Sequence, residues 1–113
     1  MTPEDMKLAV LAIMSFMSFM AAVLKSYQRN SLLYDPVEEL FLHILTLVMP
    51  TLLISFSTQF NKPIFVTMGY GMFAVLAIYY CRLFEAKKRK IADAAAVVAM
   101  LIILAAGLYA VVM

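Results

Sequence analysis

The sequence contains one cysteine, Cys81, and one histidine, His43, among its 113 residues. A lone thiol excludes an internal disulfide and any zinc or iron–sulfur site built from several cysteines. The sequence also lacks a His-rich ligand set, a glycine-rich phosphate loop and a nucleophile elbow. We therefore expect no metal site, no cofactor and no catalytic activity from this chain on its own, although it could belong to an enzyme complex.

Charged residues are scarce and unevenly placed. Asp, Glu, Lys and Arg make up 14% of the chain, against about a quarter of a typical soluble domain. None of them lies in four apolar stretches of 17 to 20 residues, which are Leu8–Leu24, Leu40–Phe56, Ile64–Cys81 and Ala94–Met113. This placement excludes a soluble enzyme, a disordered chain and a nucleic-acid-binding domain, so no nucleic-acid partner is expected.

Each apolar stretch reaches the length of about 17–25 residues that a helix needs to cross the hydrocarbon core of a bilayer. The stretches do not alternate apolar and polar residues as the strands of a membrane barrel do. The sequence therefore predicts an all-α polytopic membrane protein, a four-transmembrane-helix antiparallel bundle in which residues 1–113 form a single integral membrane domain. The predicted spans are about 6–28, 37–59, 63–84 and 92–113. A three-span alternative, with the second stretch re-entrant, stays open.

Two helix starts carry capping signals. Thr2 precedes Pro3 and two acids, and Asp35 precedes Pro36, so a capping side chain is followed each time by proline at the first helical position. Glu38 lies where the acid of a capping box belongs. These patterns predict helix starts at residues 3 and 36.

Basic residues are concentrated on one side of the predicted membrane. The connections between helices 1 and 2 and between helices 3 and 4 carry Lys25, Arg29, Arg82, Lys87, Lys88, Arg89 and Lys90. The other side carries only Lys7 and Lys62. The positive-inside rule then predicts that both connections are cytoplasmic and both termini lie outside. The membrane would be a bacterial or archaeal cytoplasmic membrane or an organelle membrane.

The run Lys87-Lys88-Arg89-Lys90 has two interpretations. Such a cluster beside a membrane helix sets topology and attracts anionic lipid headgroups, with about 1 kcal/mol for each charge. It could instead be a docking site for a peripheral partner. We expect topology and headgroup contact.

Small residues form stripes at helical spacing on the last two helices. The third helix carries Gly71, Ala74 and Ala77, and the fourth carries Ala92, Ala95, Ala96, Ala99, Ala106 and Ala110. Small residues allow membrane helices to approach closely. The stripes therefore indicate either packing inside the bundle or a face for a partner subunit.

The second helix carries a polar stripe of Glu39, His43, Thr46, Pro50 and Ser57 along one line. Glu39 and His43 are four residues apart, so their side chains can meet. Polar groups inside a membrane indicate function by default, and the stripe could be an ion or proton path. Structural packing or interfacial solvation is the interpretation we favour. Haem ligation by His43, with a second ligand from another subunit, is a further alternative.

These patterns favour a small accessory or structural subunit of a larger multi-subunit membrane complex, acting in packing, lipid sealing and assembly. Its expected partners are membrane lipids and other membrane subunits. The alternative is a homo-oligomeric small transporter or channel that uses the polar stripe of the second helix. A holin-like pore former is a third possibility.

Overall fold

The computed structural model describes residues 2–28, 30–82 and 89–112. They form four helices, α1 (Pro3–Tyr27), α2 (Pro36–Gln59), α3 (Pro63–Arg82) and α4 (Arg89–Val112), and the described part of the chain contains no strand. The predicted all-α four-helix bundle is confirmed. All four helices are long and apolar enough to span a membrane, as expected for an integral membrane protein.

Both predicted helix starts are confirmed. The Thr2 hydroxyl accepts a hydrogen bond from the Asp5 N–H, and the Asp5 carboxylate accepts one from the Thr2 N–H, which closes a capping box. The Asp35 carboxylate accepts a hydrogen bond from the Val37 N–H at the start of α2. Glu38, expected to close a second box, has its carboxylate 3.1 Å from the Lys25 Nζ and so ties α2 to α1.

The connection between α2 and α3 is as short as the sequence predicted. Asn61 takes a positive φ of 60°, a conformation that asparagine tolerates better than most residues. The Lys62 N–H donates to the Ser57 carbonyl, and the Asn61 N–H donates to the Thr58 carbonyl. These two bonds form a Schellman motif, which ends α2 and turns the chain directly into α3.

The helices form a closed ring. The α1–α2 seam is the most extensive, followed by α2–α3 and α3–α4, and α4 returns to α1 through the smallest seam. The bundle measures 44 × 25 × 19 Å. We call the end with the α1–α2 and α3–α4 connections the basic end, and the end with both chain termini and the α2–α3 connection the terminal end.

The outward face of α2 is apolar and its inward face is polar, the reverse of a soluble helix. Leu40, Phe41 and Ile44 are 60%, 61% and 51% exposed, whereas Thr46 and Ser57 are fully buried. Large contiguous apolar surfaces are rare on soluble monomers. A hydrocarbon environment accommodates them, and this supports the membrane assignment.

Large apolar side chains fill the interior of the bundle along its length. Phe19 from α1, Leu53 from α2, Met72 and Leu76 from α3, and Met100 from α4 all have no exposed surface. All four helices thus contribute to one core. Helix α1 also buries small side chains, including Ser15, Ser18 and Ala22, and small residues allow membrane helices to approach closely.

Candidate functional site

The polar stripe predicted on α2 faces the interior of the bundle. Thr46, Pro50 and Ser57 are fully buried, and Glu39 is 5% exposed. His43 lies at the edge of the interior, with 23% of its side chain exposed. The structure therefore places all five residues along the inward side of one helix.

The hydroxyl groups of the stripe bond to their own helix. The Thr46 hydroxyl donates to the Leu42 carbonyl at 2.7 Å, and the Ser57 hydroxyl donates to the Leu53 carbonyl at 2.5 Å. Such back-bonding satisfies a buried hydroxyl without a partner on another helix. Thr46 and Ser57 therefore need no bound ion or water to offset the cost of their burial.

The ionisable part of the stripe lies at the basic end. The Tyr34 hydroxyl donates a hydrogen bond to Glu39 Oε2, and His43 Nε2 lies 3.6 Å from Glu39 Oε1. On the other side of its ring, His43 Nδ1 shares a hydrogen bond of 2.6 Å with the Tyr80 hydroxyl of α3. The structure thus brings Glu39 and His43 together and adds a tyrosine from a second helix.

A second buried carboxylate, Asp93 of α4, lies at the same end. It is 3% exposed. The Tyr27 hydroxyl of α1 donates to Asp93 Oδ2, and the Tyr79 hydroxyl of α3 donates to Asp93 Oδ1, both at 2.5 Å. Asp93 therefore connects three helices through its two oxygens.

Ring contacts join the side chains around Glu39 and His43 to those around Asp93. The Tyr79 and Tyr80 rings meet edge to face at 5.2 Å, the His43 and Tyr80 rings lie 5.5 Å apart, and Phe19 packs against Tyr79 at 5.1 Å. Edge-to-face pairs of this kind are stabilising. We call the whole set the basic-end cluster. Its members are Tyr27, Tyr34, Glu39, His43, Tyr79, Tyr80 and Asp93.

The sequence analysis does not include Asp93 or Tyr79 among the candidate site residues. Tyr79 is only 4% exposed and faces inward. The sequence does contain an indication that Asp93 faces inward. Asp93, Met100 and Leu104 recur at helical spacing, and Met100 and Leu104 belong to the buried face of α4.

The small-residue stripes lie mostly on the outside of the bundle. On α4, Ala96 is buried, Ala92 and Ala99 are half-buried, and Ala95, Ala106 and Ala110 are exposed. On α3, Gly71 is half-buried, and Ala74 and Ala77 are exposed. Four of the α4 alanines, Ala92, Ala95, Ala96 and Ala99, line an open groove of about 340 Å³ together with Val75, Ile78 and Tyr79 of α3. This groove is called the α3–α4 groove below.

The predicted headgroup contact falls largely outside the described residues. Lys87, Lys88 and the side chain of Arg89 lie outside them, and Lys90 is exposed on the first turn of α4.

The described residues contain no group of three His, Cys, Asp or Glu side chains that could hold a metal ion. Comparisons with known proteins return no matching family, no matching curated protein and no matching solved structure.

Proposed function

We propose that the chain is a small accessory subunit of a larger membrane complex, with a role in packing, lipid sealing and assembly. The observation that carries the proposal is the filled interior of the bundle. The apolar core that continues from the basic-end cluster toward the terminal end includes Phe19, Leu53 and Met100, which have no exposed surface. A single bundle packed in this way favours a structural role over conduction.

The basic-end cluster supports the same role. Its carboxylates accept hydrogen bonds from tyrosines of other segments, so the cluster fastens the helices to one another at one end. Buried polar networks of this kind stabilise and specify a fold when their members are satisfied. The cluster therefore has a structural role, in which it holds the helices together at the basic end.

The α3–α4 groove is the proposed contact face for a partner subunit. It opens to the outside, and its alanines would let a foreign membrane helix approach the backbone of α4 closely. The other exposed alanines of the stripe, Ala106 and Ala110, continue this flank toward the terminal end. Van der Waals packing along such a face is the main attraction between helices in lipid.

Purification in a mild detergent tests the proposal. We expect native mass measurement of the tagged chain from its own membrane to show a stoichiometric complex with unlike membrane proteins. Complexes whose masses are only multiples of 12.7 kDa would overturn it.

A matched pair of variants tests the contact face. Ala92→Leu fills the α3–α4 groove, whereas Ala105→Leu adds the same volume at an exposed position of α4 that does not line this groove. We expect Ala92→Leu to reduce the amount of co-purified partner several-fold and Ala105→Leu to leave it unchanged. Equal effects would show that the partner binds elsewhere.

One observation favours transport as a second candidate function. Glu39, His43 and Tyr80 form a row of polar side chains across α2 and α3, with 3.6 Å between His43 Nε2 and Glu39 Oε1 and a hydrogen bond between His43 and Tyr80. In a homo-oligomer, these three side chains could open onto a path between subunits. Purified protein in vesicles would then carry protons or cations, and His43→Ala would abolish the flux. Under the accessory role we expect no flux from the pure chain and an unchanged amount of assembled complex in His43→Ala.

A further inference from the structure

Two apolar grooves meet at Lys90. The first groove, of about 350 Å³, follows the seam between α1 and α4. Its walls include Met20, Val23, Leu24, Ala94, Val97 and Val98. The second groove is a shallow, open depression of about 640 Å³ on the outer face of α4, and all its lining residues belong to that helix. Its walls include Ile91, Ala94, Ala95, Val98, Ala99 and Ile102. Lys90 lines both grooves, and Ala94 and Val98 separate them.

The sequence explains why these grooves exist. The short side chains of Ala94, Ala95 and Ala99 leave a depression on the outer face of α4. The seam groove follows from the contact between α1 and α4, which is the smallest in the ring. In a membrane, such depressions are filled by acyl chains or by another helix. Lys90 lies at the basic end of both grooves. A positive charge at this place favours a lipid with an anionic headgroup over an apolar helix.

Lys90 is exposed and forms no ion pair with a described residue. Lys87, Lys88 and Arg89 precede it directly in the sequence. Asp93 also lines the seam groove, and Glu85 lies two residues before Lys87, so residues 85–93 carry four basic residues against two acids. The local net charge is therefore positive, which suits a phosphate group.

Lys7, near the terminal end, provides a contrast. It also borders an apolar groove, of about 520 Å³, on the outer side of α1 and α2. There, Glu4 and Asp5 lie within three residues of the lysine and no further base is near in sequence. An anionic headgroup would meet no excess of positive charge at that end.

We propose that the Lys90 region binds one anionic diacyl phospholipid. The phosphate lies at Lys90, one acyl chain occupies the seam groove, and the second chain occupies the outer groove of α4. Ala94 and Val98 form the ridge between the two chains. This inference needs the membrane location but does not depend on the accessory role, since a transporter could carry the same lipid.

Native mass spectrometry of the purified full chain tests the headgroup. The probes are phosphatidylglycerol and phosphatidylcholine with identical oleoyl chains. We expect one phosphatidylglycerol to be retained in preference to phosphatidylcholine. Lys90→Ala should lower that retention about five-fold, which corresponds to about 1 kcal/mol for one basic residue near an anionic surface. Lys7→Ala is the matched control and should change nothing. Equal retention of the two lipids, or equal effects of the two variants, would overturn the proposal.

A photoactivatable phosphatidylglycerol with the reactive group in its acyl chains tests the grooves without any substitution. We expect labelled peptides from α1 around Met20–Leu24 and from α4 around Ala94–Ile102. Labels spread evenly over all four helices would contradict a defined site. A dimer whose formation displaces the lipid would also overturn the proposal, because a second copy would then cover α4.

Discussion

At Asp93, a carboxylate with 3% exposure accepts hydrogen bonds from two tyrosine hydroxyls. An unsatisfied buried polar group costs about 1–3 kcal/mol, and more when it is charged. Tyr27 and Tyr79 offset part of that cost. Because they belong to α1 and α3, the same two bonds also hold α4 in register with both helices.

Tyr79→Phe removes one of these hydroxyl groups and keeps the ring that packs on Phe19. Hydrogen bonds between membrane helices contribute about 0.6 kcal/mol on average and at most about 1.7 kcal/mol. We expect a loss of about 1 kcal/mol in the free energy of unfolding, because the acceptor is a buried carboxylate. Denaturation of the purified protein in mixed detergent, followed by circular dichroism, measures it.

Tyr70→Phe is the matched control, since Tyr70 belongs to the same helix and is 62% exposed. Its unfolding free energy should stay within about 0.5 kcal/mol of the parent chain. If Tyr70→Phe and Tyr79→Phe destabilised the protein equally, the bond to Asp93 would contribute nothing specific.

The candidate site was predictable only where it follows one helix. Glu39 and His43 are four residues apart, and helical geometry alone places them together. Asp93 and its partner Tyr27 are separated by 66 residues. No local period connects such residues, because their proximity depends on how α4 closes the ring against α1. The tyrosines carry the same ambiguity, since an amphipathic ring near a helix end suits either the interface or a buried carboxylate.

Helix α2 shows how much of the fold follows from sequence at the scale of an element. Its start follows from Asp35 and Pro36, and its length follows from the absence of Asp, Glu, Lys and Arg between Leu40 and Phe56. The polar stripe correctly identifies its interior side. The small residues of α3 were less informative, since Ala74 and Ala77 are exposed and large residues such as Met72 and Leu76 face the core. In lipid, apolar residues suit both faces, so hydrophobicity alone does not select the buried one.

The α2–α3 seam contains a close approach at Gly69. A Cβ atom added there would lie 2.5 Å from Ile54 Cγ1, whereas one added at Gly71 would lie 3.4 Å from Ile103 Cδ1. Overpacking costs about 1–3 kcal/mol, and replacing glycine by alanine within a helix returns about 1 kcal/mol. We expect Gly69→Ala to lower the unfolding free energy by about 1 kcal/mol and Gly71→Ala to leave it unchanged or raise it.

A second substitution tests whether the clash with Ile54 is the cause. Ile54→Ala removes the Cγ1 atom, so adding it to Gly69→Ala should cost less stability than the same change in the parent chain. A double-mutant cycle, measured by the same detergent denaturation, gives this coupling. Strict additivity of the two changes would contradict the packing explanation.

Charge is distributed unevenly between the two ends of the molecule. The basic end holds the buried cluster and seven of the nine basic residues, whereas the terminal end holds the Asp5–Lys62 ion pair at 3.3 Å. Both side chains are half-buried, and a single ion pair close to the solvent at the end of the bundle contributes little stability. The difference between the ends therefore matters more for orientation than for folding. It predicts that the basic end stays in the cytoplasm.

Single cysteines in a Cys81→Ser background test this orientation. Leu32 is fully exposed in the α1–α2 connection, and Gln59 is exposed at the end of α2 on the opposite side of the bundle, so Leu32→Cys and Gln59→Cys report on the two sides. With a membrane-impermeant maleimide on intact bacterial cells, we expect label at position 59 and, only after permeabilisation, at position 32. The reverse pattern would place the basic end outside and contradict the charge rule for this chain. Label at both positions before permeabilisation would contradict the membrane crossing of α2, because its two ends would then share one side.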